Sequence, residues 1–329
     1  MKKLWSRVLS VLLLSLIISD AQLPAYAAGA IDTGKDVSYT VSYTKSGTAI
    51  SGAKFDIYRV ADVDAYAQMT FTSRFASYPI SLKWHDKSSW NALATTLKGY
   101  VWKDGITPDF SAMTDGNGDF TMSLKPGLYL VIGYDKELGS YVYSVSPYLV
   151  FLPGNDLENN VWDYKLTSYP KSVSYTKPSS GGGGPSGGGT GSNLTMRRVL
   201  KIWDDDLNES LRPDSISVHL MRDGKVYDTV QLNEANGWSY SWFGIDRYSD
   251  WLVTEDSVPG YTQSIAQEGL TFTVTNTLLD VDIKPAEEDK PILLLPQTGI
   301  MWWPSLILLA GGLMLVVIGL IRRKGNDRE

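Results

Sequence analysis

Val37-Ser38-Tyr39-Thr40-Val41-Ser42-Tyr43 alternates large apolar residues with small hydroxyl residues over seven positions. A period of two is the pattern of a strand with one buried face. The period returns at Phe55 and Ile57, in the set Phe120-Met122-Leu124, over Leu128 to Ile132 and Tyr141 to Leu152, and in Trp162-Tyr164-Leu166. Gly, Pro, Asn and Asp turns separate these runs. So many half-apolar strands need a second sheet to cover them, and Ile31 to Lys171 reads as an all-β sandwich. One stretch breaks the pattern. Between Ser89 and Trp102, the residues Trp90, Leu93, Ala94, Leu97 and Val101 fall at helical spacing behind a Ser N-cap, which predicts a single inserted helix.

Downstream, Pro178 to Ser192 reads PSSGGGGPSGGGTGS, a composition that buries no apolar surface and behaves as a flexible tether. It divides the chain into a first domain over residues 28–177 and a second over 193–277. Strands are expected in the second near Met196 to Trp203, Ser215 to Arg222, Lys225 to Gln231, Gly237 to Phe243, Trp251 to Glu255 and Leu270 to Thr277. Asp223-Gly224 marks a tight hairpin connection. Six or seven short strands in this length point to a second, smaller sandwich. Asp115-Gly116-Asn117-Gly118-Asp119 has the alternating oxygens that begin a calcium loop, but Pro126 stands where the closing Glu belongs. A hairpin turn between Met113 and Phe120 accounts for the same residues.

In Val199-Leu200-Lys201-Ile202-Trp203, parity puts Lys201 on the face of Val199 and Trp203. By the same count Glu255 shares a face with Trp251 and Val253, and Asn276 with Phe272 and Val274. A strand end or a bulge would excuse any one of them. Together they place an amine, a carboxyl and an amide in one apolar interior, where a charge costs several kcal/mol unless it is neutralised, paired or consumed.

The segments Lys201-Ile202-Trp203-Asp204-Asp205, Arg212-Pro213-Asp214-Ser215-Ile216, Val253-Thr254-Glu255-Asp256-Ser257-Val258-Pro259-Gly260-Tyr261 and Val274-Thr275-Asn276-Thr277 resemble, in order, those of the CnaB domain. The resemblance implies a spontaneous isopeptide bond between Lys201 and Asn276, with Glu255 as proton relay. Desolvation would supply the reactivity, since burial favours a neutral Lys and a protonated Glu. No cofactor and no metal is called for.

In the first domain, Gly52-Ala53-Lys54-Phe55-Asp56-Ile57-Tyr58, Gly127-Leu128-Tyr129-Leu130-Val131 and Trp162-Asp163-Tyr164 leading to Tyr169-Pro170-Lys171 resemble the N-terminal domains of sortase-assembled pilins. Such domains often carry a glutamate for a bond of their own, and here Gly133 stands in its place. The strand Val37 to Tyr43 has no Lys either, so no internal cross-link is expected in this domain. Tyr169-Pro170-Lys171 resembles the pilin motif, which makes Lys171 the candidate acceptor for the next subunit.

The two ends carry addresses. Lys2, Lys3 and Arg7, the apolar run Val8 to Ile18 and the small residues about Ala25-Tyr26-Ala27 form a secretory signal peptide cut after Ala27. Its run of 11 residues is well below the roughly 20 that a spanning helix needs. At the far end, Leu295-Pro296-Gln297-Thr298-Gly299 precedes the uncharged stretch Ile300 to Ile321, long enough for a transmembrane helix, and then the basic tail Arg322, Arg323, Lys324. Pentapeptide, apolar span and basic tail resemble an LPXTG sorting signal. The resemblance implies that sortase cuts after Thr298 and passes its carbonyl to an amine of peptidoglycan or of a neighbouring pilin, leaving the protein covalently on a Gram-positive cell wall. The membrane is then a partner only before sorting.

Composition narrows the rest. The chain has 329 residues, no cysteine, and a formal net charge of -6 with acids and bases intermixed, so there is neither a disulfide staple nor a basic surface for nucleic acid. His85 and His219 are the only histidines and lie in no zinc or triad motif. An enzyme is not expected beyond one intramolecular turnover. The leading expectation is a pilin subunit; the alternative is a monomeric wall-anchored adhesin for host protein or glycan, to which the aromatic content would lend anchors. The stalk after Thr277 is short: 18 residues reach Leu295, roughly 60 Å when fully extended.

Overall fold

The computed structural model describes residues 29–83, 87–156, 159, 161–176, 193–206 and 208–279. The signal peptide, His85, the Gly-rich tether, nearly all of the stalk, the LPQTG motif, the apolar span 300–321 and the basic tail lie outside the described residues. Among those described, no helix is long and apolar enough to cross a membrane.

Among the described residues the chain is mostly β with one α-helix. The opening strand Val37–Ser42 buries Val37, Tyr39 and Val41 and turns its hydroxyl residues away from the core. It lies between Lys165–Ser168, its parallel neighbour, and Asp119–Leu124, its antiparallel one. A facing sheet runs Tyr148–Leu152, Gly127–Gly133, Lys54–Val63, Met69–Phe71, with Phe110–Met113 also paired to Lys54–Val63. Tyr39, Tyr43, Phe55, Ile57, Tyr129 and Val131 fill the space between the sheets.

The strand Gly127–Gly133 is buried at every position. Tyr129 and Val131 face the sandwich core, while Leu128, Leu130 and Ile132 face Leu93, Leu97 and Val101 of the helix. Burial on both faces accounts for an unbroken apolar run here, in place of the period of two expected over Leu128 to Ile132. The helix spans Lys87–Asp104, so it starts two residues before Ser89, which sits in its first turn and is not the cap.

Two further expectations change in detail. The Asp115 loop is a tight turn: Asp115 Oδ1 accepts from the backbone N–H groups of Asn117 and Asp119 at 2.8 and 2.9 Å. Its flanking strands pair in different sheets, so it carries the chain across the sandwich and is not a hairpin turn. Gly118 is required there, since at φ 84° an added Cβ would stand 2.4 Å from the Tyr43 carbonyl oxygen. Among the described residues no cluster of His, Cys, Asp or Glu could hold a metal ion. Trp162, Tyr164 and Leu166 are also not the last strand of the first sandwich. Ser172–Thr176 follows and pairs with Tyr141–Val145.

The second sandwich stacks the four-stranded sheet Ser239–Asp246, Leu194–Asp204, Thr271–Leu278, Tyr261–Glu268 on the three-stranded sheet Lys225–Asn233, Ser215–Arg222, Trp251–Glu255. Val199, Val218, Leu220, Trp242, Val253, Phe272 and Val274 form its core. The Asp223-Gly224 turn joins its flanking strands with Arg222 opposite Lys225, both turn residues at positive φ. Sequence reading missed the strand Tyr261–Glu268.

The helix touches both sandwiches. Gln263 and Ile265, on the free edge of the Tyr261–Glu268 strand, direct their backbone N–H groups at the Pro79 carbonyl (2.6 Å) and at Thr96 Oγ1 on the helix (2.8 Å). These bonds cover an edge that would otherwise present open donors. Lys98 pairs with Asp250 at 2.6 Å, Lys103 pairs with Asp256, and Gly99 lets the helix approach Thr254, whose Cβ would lie 3.4 Å from a Cβ placed at Gly99.

Candidate functional site: a buried amine, carboxyl and amide

Strand pairing determines which side chains meet. Leu194–Asp204 and Thr271–Leu278, the first and last strands of the second sandwich, run parallel, with Lys201 opposite Val274 and Trp203 opposite Asn276. Lys201 and Asn276 therefore lie on one face of one sheet, two residues apart in register. Glu255 ends an edge strand of the facing sheet and is paired with Val218. Parity had turned all three inward, and all three are inside: Lys201 is 4% exposed, Glu255 1% and Asn276 1%.

Glu255 Oε1 lies 3.7 Å from Lys201 Nζ and accepts from Asn276 Nδ2 at 3.2 Å. Its other oxygen, Oε2, accepts from Gln263 Nε2 at 2.9 Å. Lys201 Nζ also donates to the Ile202 carbonyl at 3.2 Å and sits 4.3 Å above the Trp203 ring. The Asn276 carbonyl oxygen is buried with no hydrogen-bond partner, an arrangement that costs about 1–3 kcal/mol.

Burial dominates the electrostatics. Desolvation pushes the Lys201 amine well below the usual lysine range, and the opposing pull of Glu255 and Asp205 only partly offsets it. Desolvation likewise pushes the Glu255 carboxyl above the usual glutamate range, against Lys201, Asn276 and Gln263. Removed from water, the ammonium–carboxylate form loses its advantage over the amine–acid form. Arg212 Nε and Nη2 each donate to Asp205 at 2.7 Å, so this carboxylate is paired at the margin of the site.

The structure brings Lys201, Glu255 and Asn276 together and leaves Lys171 elsewhere. Lys171 is exposed in the connector between Lys165–Ser168 and Ser172–Thr176, beside Tyr169, which is 73% exposed. The strand Ser172–Thr176 follows it before the Gly-rich segment. His219 bridges Thr229 and Asp256 at the surface of the second sandwich and has no part in the site. In the first sandwich, a Cβ at Gly133 would meet the Phe55 ring at 2.9 Å and Val145 at 3.0 Å, so apolar side chains occupy the room a carboxyl would need. Gln263 is the contact that sequence reading did not find. The signal was present in Tyr261, Gln263 and Ile265, whose parity turns Gln263 inward as it does Lys201.

Residues 197–277 match the family model of the Cna protein B-type domain. A curated relative, the collagen adhesin of Staphylococcus aureus, is 25% identical over an alignment of 268 residues that covers 76% of this chain and 18% of that protein. The chain thus spans less than a fifth of that relative's length. Among solved structures, a single B repeat unit of the collagen-binding surface protein of Staphylococcus aureus aligns over 74% of this chain and 99% of its own, at 16% identity and a TM-score of 0.25. The full-length major pilin SpaD of Corynebacterium diphtheriae aligns over 75% of this chain and 65% of its own, at 14% identity and a TM-score of 0.29. The basal pilin SpaE of Lactobacillus rhamnosus GG aligns over 70% and 83%, at 12% identity and a TM-score of 0.30.

Proposed function

We propose that this chain is a structural protein of the bacterial surface, a pilin subunit fixed by sortase, whose second sandwich locks itself with an amide bond between Lys201 and Asn276. The observation that carries the proposal is the buried set of amine, carboxyl and amide, held on three strands within the Cna B-type match. The step balances without a cofactor. Neutral Lys201 Nζ attacks Asn276 Cγ while Glu255, protonated on Oε1, donates to the amide carbonyl oxygen. A half-turn about the Asn276 Cβ–Cγ bond presents that oxygen in place of Nδ2. Glu255 then takes a proton from the attacking nitrogen, gives one to Nδ2, and recovers its own from the carbonyl oxygen as the C=O bond re-forms. The Nζ–Cγ bond forms, the Cγ–Nδ2 bond breaks, ammonia leaves, and Glu255 ends as it began.

The required form, amine plus acid, holds the same number of protons as the ion pair. Its population is therefore flat in pH between the two apparent pKa values of the pair. Below that window both groups are protonated and the amine cannot attack. Above it both have lost their protons and nothing activates the carbonyl. The rate of ammonia loss on folding, followed by intact mass, is expected to show a plateau that includes neutral pH and falls on both sides. A rate that climbs without limit into alkali would mean that Glu255 supplies no proton.

Anchoring rests on the C-terminal sequence. Protein released from the wall by peptidoglycan-degrading enzymes is expected to end at Thr298 in amide linkage to a wall or subunit amine. Recovery of the chain from membranes with residues 300–329 intact would instead make the apolar stretch a permanent anchor. The similarity to a protein named a collagen adhesin supports a second reading, a monomeric wall adhesin that binds a host ligand. The two readings differ in polymerisation. A pilin runs as a ladder that survives boiling in detergent, and a monomeric adhesin runs as one band.

A further inference from the structure

Glu255 is a proton relay only if the proton sits on the oxygen that faces the reactants. Oε1 faces Lys201 and Asn276, and Oε2 faces Gln263. As long as Gln263 presents its NH₂ group, Oε2 is held as an acceptor and the acidic proton belongs on Oε1. A buried amide turned the other way would face Oε2 with its carbonyl oxygen and draw the proton to the wrong side. Gln263 does not set this orientation by itself. Its Oε1 accepts from the hydroxyl of Tyr100, which belongs to the helix of the first sandwich. A phenol at this site can serve as the donor only while protonated, and burial and the neighbouring Glu255 push the Tyr100 hydroxyl far above its ordinary pKa. Tyr100 is held in turn by Tyr78, stacked with ring centroids 4.2 Å apart, whose hydroxyl donates to Asp104 at 2.5 Å.

The helix also dries the site. Every residue of the Glu255 strand, Trp251–Glu255, is buried, Leu252 and Thr254 included. Gly99 lies against Thr254 there, and Thr96 and Pro79 close the adjoining edge. We propose that the docked helix takes part in cross-linking, with Tyr100 and Gln263 as positioning residues that keep the Glu255 proton on Oε1, so that the bond forms at full rate only when the two sandwiches are together. The order of events follows: the first sandwich folds, docks, and thereby licenses the covalent lock in the second. This inference rests on the reading of Lys201, Glu255 and Asn276 as the cross-linking site.

The test follows the rate of ammonia loss against pH, using full-length chain recovered unreacted in denaturant and folded by dilution. The charged and titratable groups that bear on the Glu255 and Lys201 pair are each other, Tyr100 from the helix, and Asp205 beyond the Lys201 strand. Tyr100→Phe keeps the stacked ring and removes only the donor; it is expected to slow the reaction several-fold. Gln263→Met keeps the volume and removes the amide, with an expected loss of about tenfold, part of what a positioned proton relay contributes. Gln263 donates to the carboxylate and so lowers the Glu255 pKa. In Gln263→Met the alkaline limb of the profile should therefore move to higher pH. A merely loosened, wetter core would instead lower the Glu255 pKa and raise that of Lys201, favouring the ion pair over the amine and acid. Gly99→Leu should push the helix away and slow the reaction without altering any hydrogen-bonding side chain. Three variants that react at the wild-type rate with an unchanged profile, or an alkaline limb that moves down in Gln263→Met, would overturn the inference and leave the cross-link itself standing. A wild-type chain that never loses ammonia would remove both.

Discussion

Full-length chain that has folded is expected to weigh one ammonia less than its sequence, and Lys201→Ala, Asn276→Ala and Glu255→Gln chains are expected to have the full mass. Glu255→Gln is the most informative of the three, because it keeps the shape of the side chain and removes only the acid. Proteolysis of the wild type should yield one branched peptide that joins the two strands. The bond would close a loop across the 75-residue separation between positions 201 and 276. By analogy with disulfides, the chain-entropy model assigns such a closure about 4 kcal/mol, so the variants should melt markedly lower and yield faster to protease. The effect on tension should be larger still. The first and last strands of the sandwich are parallel neighbours. A pull on the two ends of the domain therefore drives them in opposite directions, in shear. An amide between Lys201 and Asn276 shunts the load past residues 202–275, and single-molecule pulling should find no unfolding of that segment in the wild type and a clear extension step in Glu255→Gln. Full sequence mass in the folded wild type would end the cross-link proposal.

The fold was legible wherever one face of a strand was buried and the other was not. Val37 to Tyr43 and Val199 to Trp203 alternate cleanly, and the inward placement of Lys201, Glu255 and Asn276 followed from parity alone. Reading failed at one strand, where a polar residue took an inward position. Tyr261–Glu268 went unrecognised as a strand because Gln263 interrupts its apolar face, although that interruption is the contact to Glu255. The packing of the helix was legible on one side only. Leu93, Leu97 and Val101 marked a face for the first sandwich, whereas Thr96, Gly99 and Lys103 carry no apolar signal and meet the second. The Gly-rich composition of the linking segment says nothing about whether the two sandwiches dock. That depends on complementary surfaces far apart in sequence, such as Tyr100 with Gln263 and Lys98 with Asp250, and no local pattern records those pairs.

Lys171→Ala is expected to abolish the detergent-resistant ladder and leave monomer on the wall. Sortase must bring a bulky acyl-enzyme to the accepting amine. Lys201 is sealed inside the second sandwich and, on the present proposal, consumed, whereas Lys171 is exposed in a three-residue connector whose two flanking strands are both paired. An amine fixed in this way also gives a sensible path for force. Tension arriving at Lys171 from the Thr298 of the next subunit would run through Ser172–Thr176, along the tether, into the Lys201 strand, across the cross-link to Asn276, and out to the subunit's own Thr298. The part of the first sandwich that precedes Lys171 would carry no covalent load, which removes the need for a lock where Gly133 stands among Phe55 and Val145. Digestion of the polymer should then release a branched peptide joining Thr298 to Lys171. A ladder that persists in Lys171→Ala would assign the acceptor to another lysine, and a wild type that forms none would favour the monomeric adhesin.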